Sequence, residues 1–230
     1  YMNIKHKKPT LTKKQRHKLR VQQVRRQKIF LTCLFLLIVG CILLRFSKFS
    51  GRQEEAHQIN AACEAYRDEV SSEAAQYDMS KYVDLILAVM MQESSGQGTD
   101  PMQSSEGAYN TRYPQQPNGI TDPSYSISCG IQELKYALDK AGCTGPTDLS
   151  KIRLALQAYN FGADSYFAYL EENGQTVWTA QSAQAFAQMA SGGTQRDEDD
   201  PLHDPAGPWD YGDQYYPDHV LRYYHLDNNS

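Results

Sequence analysis

The 230-residue chain has no His-Glu-x-x-His segment, no glycine-rich phosphate loop and no Ser, His and Asp in an order that would build a hydrolase triad. Zinc-peptidase, nucleotide-binding and serine-hydrolase chemistry are therefore without a sequence basis. Cysteine is scarce: two of the five lie in an apolar run, which leaves Cys63, Cys129 and Cys143, an odd number. A helix expected from about Ser126 to Ala141 would hold Cys129 and Cys143 roughly 18–20 Å apart, far beyond the ~7 Å that a disulfide spans. No bridge between those two and no cysteine metal site is expected, while Cys63 stays open as a partner for either. Alternating strand patterns are also scarce, and no internal repeat is visible. The expectation is one mostly α domain, with no second soluble domain within these residues.

Acid is missing from one end. Residues 1–28 carry eleven Lys or Arg and no Asp or Glu, whereas residues 53–230 carry nine basic residues against 27 acids. Between them lies "IFLTCLFLLIVGCILLRF", residues 29–46, uncharged over its first 16 positions. As a helix of 16–18 residues it would span roughly 24–27 Å, close to a thin hydrocarbon core. The long basic region before it, the absence of a nearby small-x-small site after it, and the flanking Arg45 and Lys48 favour an uncleaved transmembrane anchor over a signal peptide or a lipoprotein site at Cys41. The positive-inside rule then keeps residues 1–28 in the cytoplasm as a basic arm and places the acidic domain outside. That arm is read as a topology determinant, with no nucleic-acid partner expected. Residues 47–56 form a linker, and residues 57–230 the exterior domain.

The exterior domain reads as helix after helix. "AHQINAACEAYRDEVSSEAAQY" spaces Ile59, Cys63, Tyr66, Val70 and Tyr77 mostly by three and four, and Ser80 is a candidate cap for the apolar helix "VDLILAVMMQ". After a loop running to "NGITDP", "SISCGIQELKYALDKAG" forms an amphipathic helix ending at Gly142. "TDLSKIRLALQAYNFG", capped by Thr147 or Asp148, "DSYFAYLEENG", "TAQSAQAFAQMASGG" and "PDHVLRYY" complete the set. "RDEDD", residues 196–200, with His203 and Asp204 lacks the EF-hand spacing and reads as a solvated acidic loop, so no metal and no cofactor is expected.

Glu93 stands where the most apolar helix runs out. A carboxyl there meets the negative end of the helix dipole and a low-dielectric wall, and both favour its protonated form. A carboxylic acid that holds its proton near neutral pH can protonate a glycosidic oxygen. On this stretch alone, a solvated glutamate after a buried helix is the simpler reading of the residue.

Five further motifs shift that balance. "ESSG", "DPMQSSE", "SISCGIQEL", "AYNFG" and "YYPDHVLRYY" occur in the order found in soluble lytic transglycosylases and goose-type lysozymes. Over residues 59–224 the chain resembles that lysozyme-like superfamily, and most of all the membrane-anchored muramidase domains of Gram-positive conjugative elements. The resemblance implies a mostly α, lysozyme-like domain, here preceded by one transmembrane helix. It implies Glu93 as general acid and later base, with Ser94 near the site floor. Gln103 would line the sugar groove, Tyr159 and Asn160 would sit under the scissile sugar, and Tyr216 would close over Glu93. Asp100 and Pro101 stand where the superfamily has Gly-Leu, and Pro217 replaces a valine. Many such relatives carry a further cysteine-peptidase domain.

A hydrolase needs two carboxyls, ~5–5.5 Å apart for retention and ~6.5–9.5 Å for inversion. Asp100, Glu106 and Asp122 are the candidates for a second, water-positioning acid. Without one, the sugar's own 6-hydroxyl would attack, giving a 1,6-anhydro product. The resemblance implies a muramidase acting on peptidoglycan glycan strands between N-acetylmuramic acid and N-acetylglucosamine. It would open the wall locally for a conjugation or type IV secretion channel, tethered outside the cell membrane. Lytic transglycosylation, and a silent scaffold within such a channel, stay open as alternatives.

Overall fold

The computed structural model describes residues 57–200 and 203–225. The arm, the anchor and the linker, residues 1–56, lie outside the described residues. No helix among the described residues is long and apolar enough to cross a membrane.

Eight α-helices are described: α1 Ala61–Glu64, α2 Arg67–Gln76, α3 Val83–Glu93, α4 Pro123–Ala141, α5 Leu149–Phe161, α6 Ala163–Glu172, α7 Ala180–Ala190 and α8 Tyr216–Leu221, with a 3-10 turn at Ser80–Tyr82. The only β pairing among the described residues is a bridge between Gln195 and Trp209. The expected mostly α architecture is thus what forms.

Local chemistry sets the helix ends. The Asn60 side chain accepts from Cys63 N, Asp148 caps α5, and Thr179 closes a reciprocal capping box with Ser182. Gly142 ends α4 in the left-handed conformation, φ 69°. Three boundaries differ from the sequence expectation. The first expected helix is two, broken at Ala65–Tyr66. Ser80 opens the 3-10 turn instead of capping α3, whose N-cap Tyr82 makes no side-chain cap bond. Helix α4 starts at Pro123, because Asp122 accepts from Tyr125 N and the following proline is pre-set for the first helical position.

Helix α3 is the axis of the core. Leu85, Ile86, Leu87, Ala88, Val89 and Met90 are all fully buried. Each of its larger side chains contributes about 1.5–3 kcal/mol of burial free energy. Helix α4 lies along α5, and α8 packs on both α5 and α3, so the end of α3 meets the end of α5 and the start of α8. Phe161, Tyr166, Phe186 and Tyr211 interlock as an aromatic cluster behind that meeting point. Cys63, Cys129 and Cys143 carry free thiols.

One glycine decides how closely the loop after α3 approaches α4. A Cβ on Gly130 would fall 2.6 Å from the Cβ of the fully buried Met102. The Met102 stem cannot swing away as a side-chain tip could. Gly130→Val is expected to destabilise the fold by about 1–3 kcal/mol through overpacking. A lowered urea midpoint against the parent chain checks this.

Candidate active site

Glu93 is the last residue of α3, and the chain turns sharply after it. Ser95 and Gly96 both take left-handed conformations, φ 56° and 72°. Gly96 lies so close to the backbone of Cys63 that a Cβ would fall 2.8 Å from its nitrogen. Ser94 braces the turn. Its hydroxyl donates to Pro101 O at 2.8 Å and accepts from Gly96 N at 3.1 Å, so its polar capacity is committed to the protein.

Asp100 organises the next loop. It is buried, and its carboxylate accepts from Ser104 N at 3.0 Å, Ser105 N at 3.2 Å, Ser126 Oγ at 2.6 Å and the Ser105 hydroxyl. Gln103 is exposed in a left-handed conformation, φ 48°, and its amide donates to Asp100 O and Asn118 Oδ1, each at 2.9 Å.

Across from this loop, Tyr216 is 2% exposed and its hydroxyl donates to Glu93 Oε1. Tyr159 stacks on Tyr216, with ring centroids 6.2 Å apart, and donates to Met102 O at 2.9 Å. Asn160 Oδ1 accepts from Asp213 N at 2.7 Å, an approach that requires glycine at 212, where a Cβ would lie 2.6 Å from the same oxygen. Asp213 in turn pairs with His219 Nδ1 at 2.5 Å, and its carbonyl accepts from Gln157 at 2.8 Å. Glu93, Tyr159, Asn160 and Tyr216 therefore converge from α3, α5 and α8.

Burial pushes the Glu93 carboxyl up to about 7, and the negative charges of Asp213 and Asp100 add to the rise. The Tyr216 hydrogen bond acts the other way, since it favours the ionised form. The three acids expected as partners stand differently. Asp100 is committed to four donors, Glu106 is solvent-exposed, and Asp122 caps α4. Two open cavities, about 450 and 580 Å³, lie elsewhere, and neither is lined by Glu93.

The sequence profile of the lysozyme-like family matches residues 61–224. The chain belongs to that family. It is 35% identical over 173 residues to the Bacillus subtilis (strain 168) bifunctional muramidase/DL-endopeptidase CwlT, covering 75% of this chain and 43% of that protein. It is 40% identical over 111 residues to the uncharacterized membrane protein YocA of the same organism, covering 48% of this chain and 45% of that one. A crystal structure from Staphylococcus aureus subsp. aureus Mu50, titled as similar to a lipoprotein of the NLP/P60 family, superposes with a TM-score of 0.62 at 26% identity, over 75% of this chain and 56% of that one. The chain thus spans under half the length of these two curated relatives.

In this lysozyme-like site a carboxyl raised to about 7 is held by a buried phenol at the junction of three helices, an arrangement suited to general-acid chemistry. Sequence reasoning missed Glu133, Asp213 and His219. Glu133 sits on the expected amphipathic helix, and its place off the apolar stripe gave no sign of burial. The "YGD" segment carrying Asp213 lay in a stretch read only as loop.

Two outcomes follow. Tyr216→Phe removes the bond that favours ionised Glu93, so the Glu93 titration midpoint should rise above about 7, read by carbon NMR of its carboxyl. The second concerns stability. Glu93 and Glu133 both have folded values of about 7 against an ordinary 4.5, so the folded state binds protons more tightly between these limits. His219, raised by Asp213, loses its stabilising proton as pH rises through its folded value. Glu64, Asp148 and Asp164 are lowered, so their contribution is already complete above the ordinary carboxylate range. The urea midpoint should therefore fall between pH 5 and pH 8.

Proposed function

We propose that this domain cleaves peptidoglycan glycan strands as a muramidase, hydrolysing the β-1,4 bond from N-acetylmuramic acid to N-acetylglucosamine. The observation that carries the reading is the half-buried Glu93, its carboxyl bonded by the buried Tyr216. A Bacillus subtilis relative named a muramidase supports the substrate class.

Glu93, protonated near neutral pH, donates to the glycosidic oxygen as the bond to the sugar's anomeric carbon breaks. The hydroxyl of Tyr216 then stabilises the carboxylate left behind, and its ring with that of Tyr159 keeps bulk water from the carboxyl. Asn160 has its carbonyl committed to Asp213 N, so its amide NH₂ is the half available to a sugar acetamido or hydroxyl oxygen. A water attacking the anomeric carbon and passing its proton to the Glu93 carboxylate completes hydrolysis and restores the acid. Lytic transglycosylation is the second reading, and the full engagement of Asp100 by four donors favours it, because that acid has no oxygen to spare for a water. In either case residues 29–46 would tether the enzyme to the outer face of the membrane and limit cutting to a nearby shell of wall. A role in conjugation rests on the sequence resemblance alone.

Digestion of purified peptidoglycan by the chain and by Glu93→Gln, with mass analysis of the soluble fragments, tests this. Loss of the general acid should lower the rate by roughly 10²–10⁴-fold. Reducing muramic ends mean hydrolysis, and anhydro ends mean transglycosylation. Absence of any fragment from the folded parent chain would leave a glycan-binding scaffold.

A further inference from the structure

Asp213 touches both halves of the site, and the chemistry just described gives its side chain no role. Its backbone nitrogen donates to Asn160 Oδ1 at 2.7 Å, and its carbonyl accepts from Tyr216 N at 3.2 Å. One residue therefore bonds both the side chain assigned to the sugar and the first residue of α8, whose phenol holds Glu93. A carboxamide can present either its oxygen or its NH₂. Which half of Asn160 is left for a ligand depends on where the Asp213 N–H stands.

Three sets of contacts fix Asp213 in place. Its Oδ1 accepts from Tyr215 N at 2.9 Å, and its Oδ2 pairs at 2.5 Å with Nδ1 of His219, which follows Tyr216 on α8. Its carbonyl also takes the amide of Gln157 at 2.8 Å. Gln157 is fully buried and its oxygen accepts from Trp178 Nε1 at 2.9 Å, so both ends of that amide are committed. The flanking residues close the segment. Gly212 lies so near Phe161 that a Cβ would fall 2.6 Å from its ring, and the buried Gln214 donates to the carbonyls of Trp209 and Tyr211, each at 3.0 Å. Both carboxylate oxygens of Asp213 are thus engaged within the protein, as a brace requires.

We propose that Asp213, locked by His219, is a positioning residue for the reaction at Glu93, setting the Asn160 amide and the Tyr216 phenol in register with one another. The proposal rests on Glu93 being the general acid and on Asn160 meeting the sugar. The carboxylate holds the main chain of its own turn, through Tyr215 N and His219, and that main chain holds the two site residues. Displacing a reacting group by about 1 Å can cost on the order of 10²-fold in rate, so a loosened turn is felt in the reaction as well as in the fold.

Kinetics of the full-length chain on soluble glycan fragments test this. Asp213→Ala should lower kcat through Tyr216 and raise KM through Asn160, for a loss in kcat/KM of roughly ten-fold or more. Asp213→Asn keeps an oxygen for Tyr215 N and offers an NH₂ to His219 Nδ1, and it should recover most of both. In an Asn160→Ala background, Asp213→Ala should raise KM little further, because the group it positions is gone. Losses that add in full in the double variant, or an Asp213→Asn as damaged as Asp213→Ala, overturn the proposal. Hydrogen exchange on the parent chain tests the same bond whether or not a variant folds. The Asp213 amide should be protected well beyond those of the exposed Glu198 and Asp199, and exchange as fast as theirs also overturns the proposal. A parent that protects this amide yet cuts no glycan would sink the muramidase reading, with the bond to Asn160 intact.

Discussion

The hydrogen bond from Tyr216 to Glu93 joins residues 123 positions apart and fixes the geometry of everything around it. It ties the end of α3 to the start of α8. A buried carboxyl at a helix C-terminus is unstable as an anion, and a buried phenol is unstable without an acceptor. Each group satisfies the other. Tyr159 then has a flat surface to stack on, and its hydroxyl reaches Met102 O. The loop after α3 is thereby drawn toward α5 as well as toward α4. Loss of the bond would leave the buried Tyr216 hydroxyl without its acceptor.

Asp100 plays the corresponding part in the loop. The superfamily pattern puts glycine where this chain has a buried aspartate, and the reason is visible in its partners. Two backbone N–H groups and two serine hydroxyls converge on the one carboxylate. An irregular loop buries backbone donors that no helix or sheet can satisfy, and a carboxylate accepts from several at once. The "QSSE" sequence supplies donors for the acid that precedes it. Asp100 and Asp213 also act at a distance, since both negative charges raise Glu93. Proton retention at Glu93 therefore rests first on burial, with the acidic surround adding to it.

Much of the helical content was legible from residue spacing, because a buried helix face repeats every three to four residues whatever it packs against. Glycine at 142, aspartate at 148 and threonine at 179 marked helix ends through local backbone chemistry alone. The Asp122–Pro123 start of α4 was readable in the same terms and was passed over as loop. The break at Ala65–Tyr66 carried no comparable signal. Alanine is a good helix former.

The sequence by itself determined the apolar run of α3, the single acid at its end and the order of the motifs that place the chain among lysozyme-like proteins. These are local or serial properties, written one residue after another. The tertiary structure alone decided which acids are available. It committed Asp100 to four donors, assigned Asp122 to a helix cap, exposed Glu106 and set a buried oxygen of Glu133 against Gly107. The physical reason is that a carboxyl's charge state depends on the donors, charges and solvent within a few ångströms. Those neighbours come from segments far apart in the chain, and only folding brings them together.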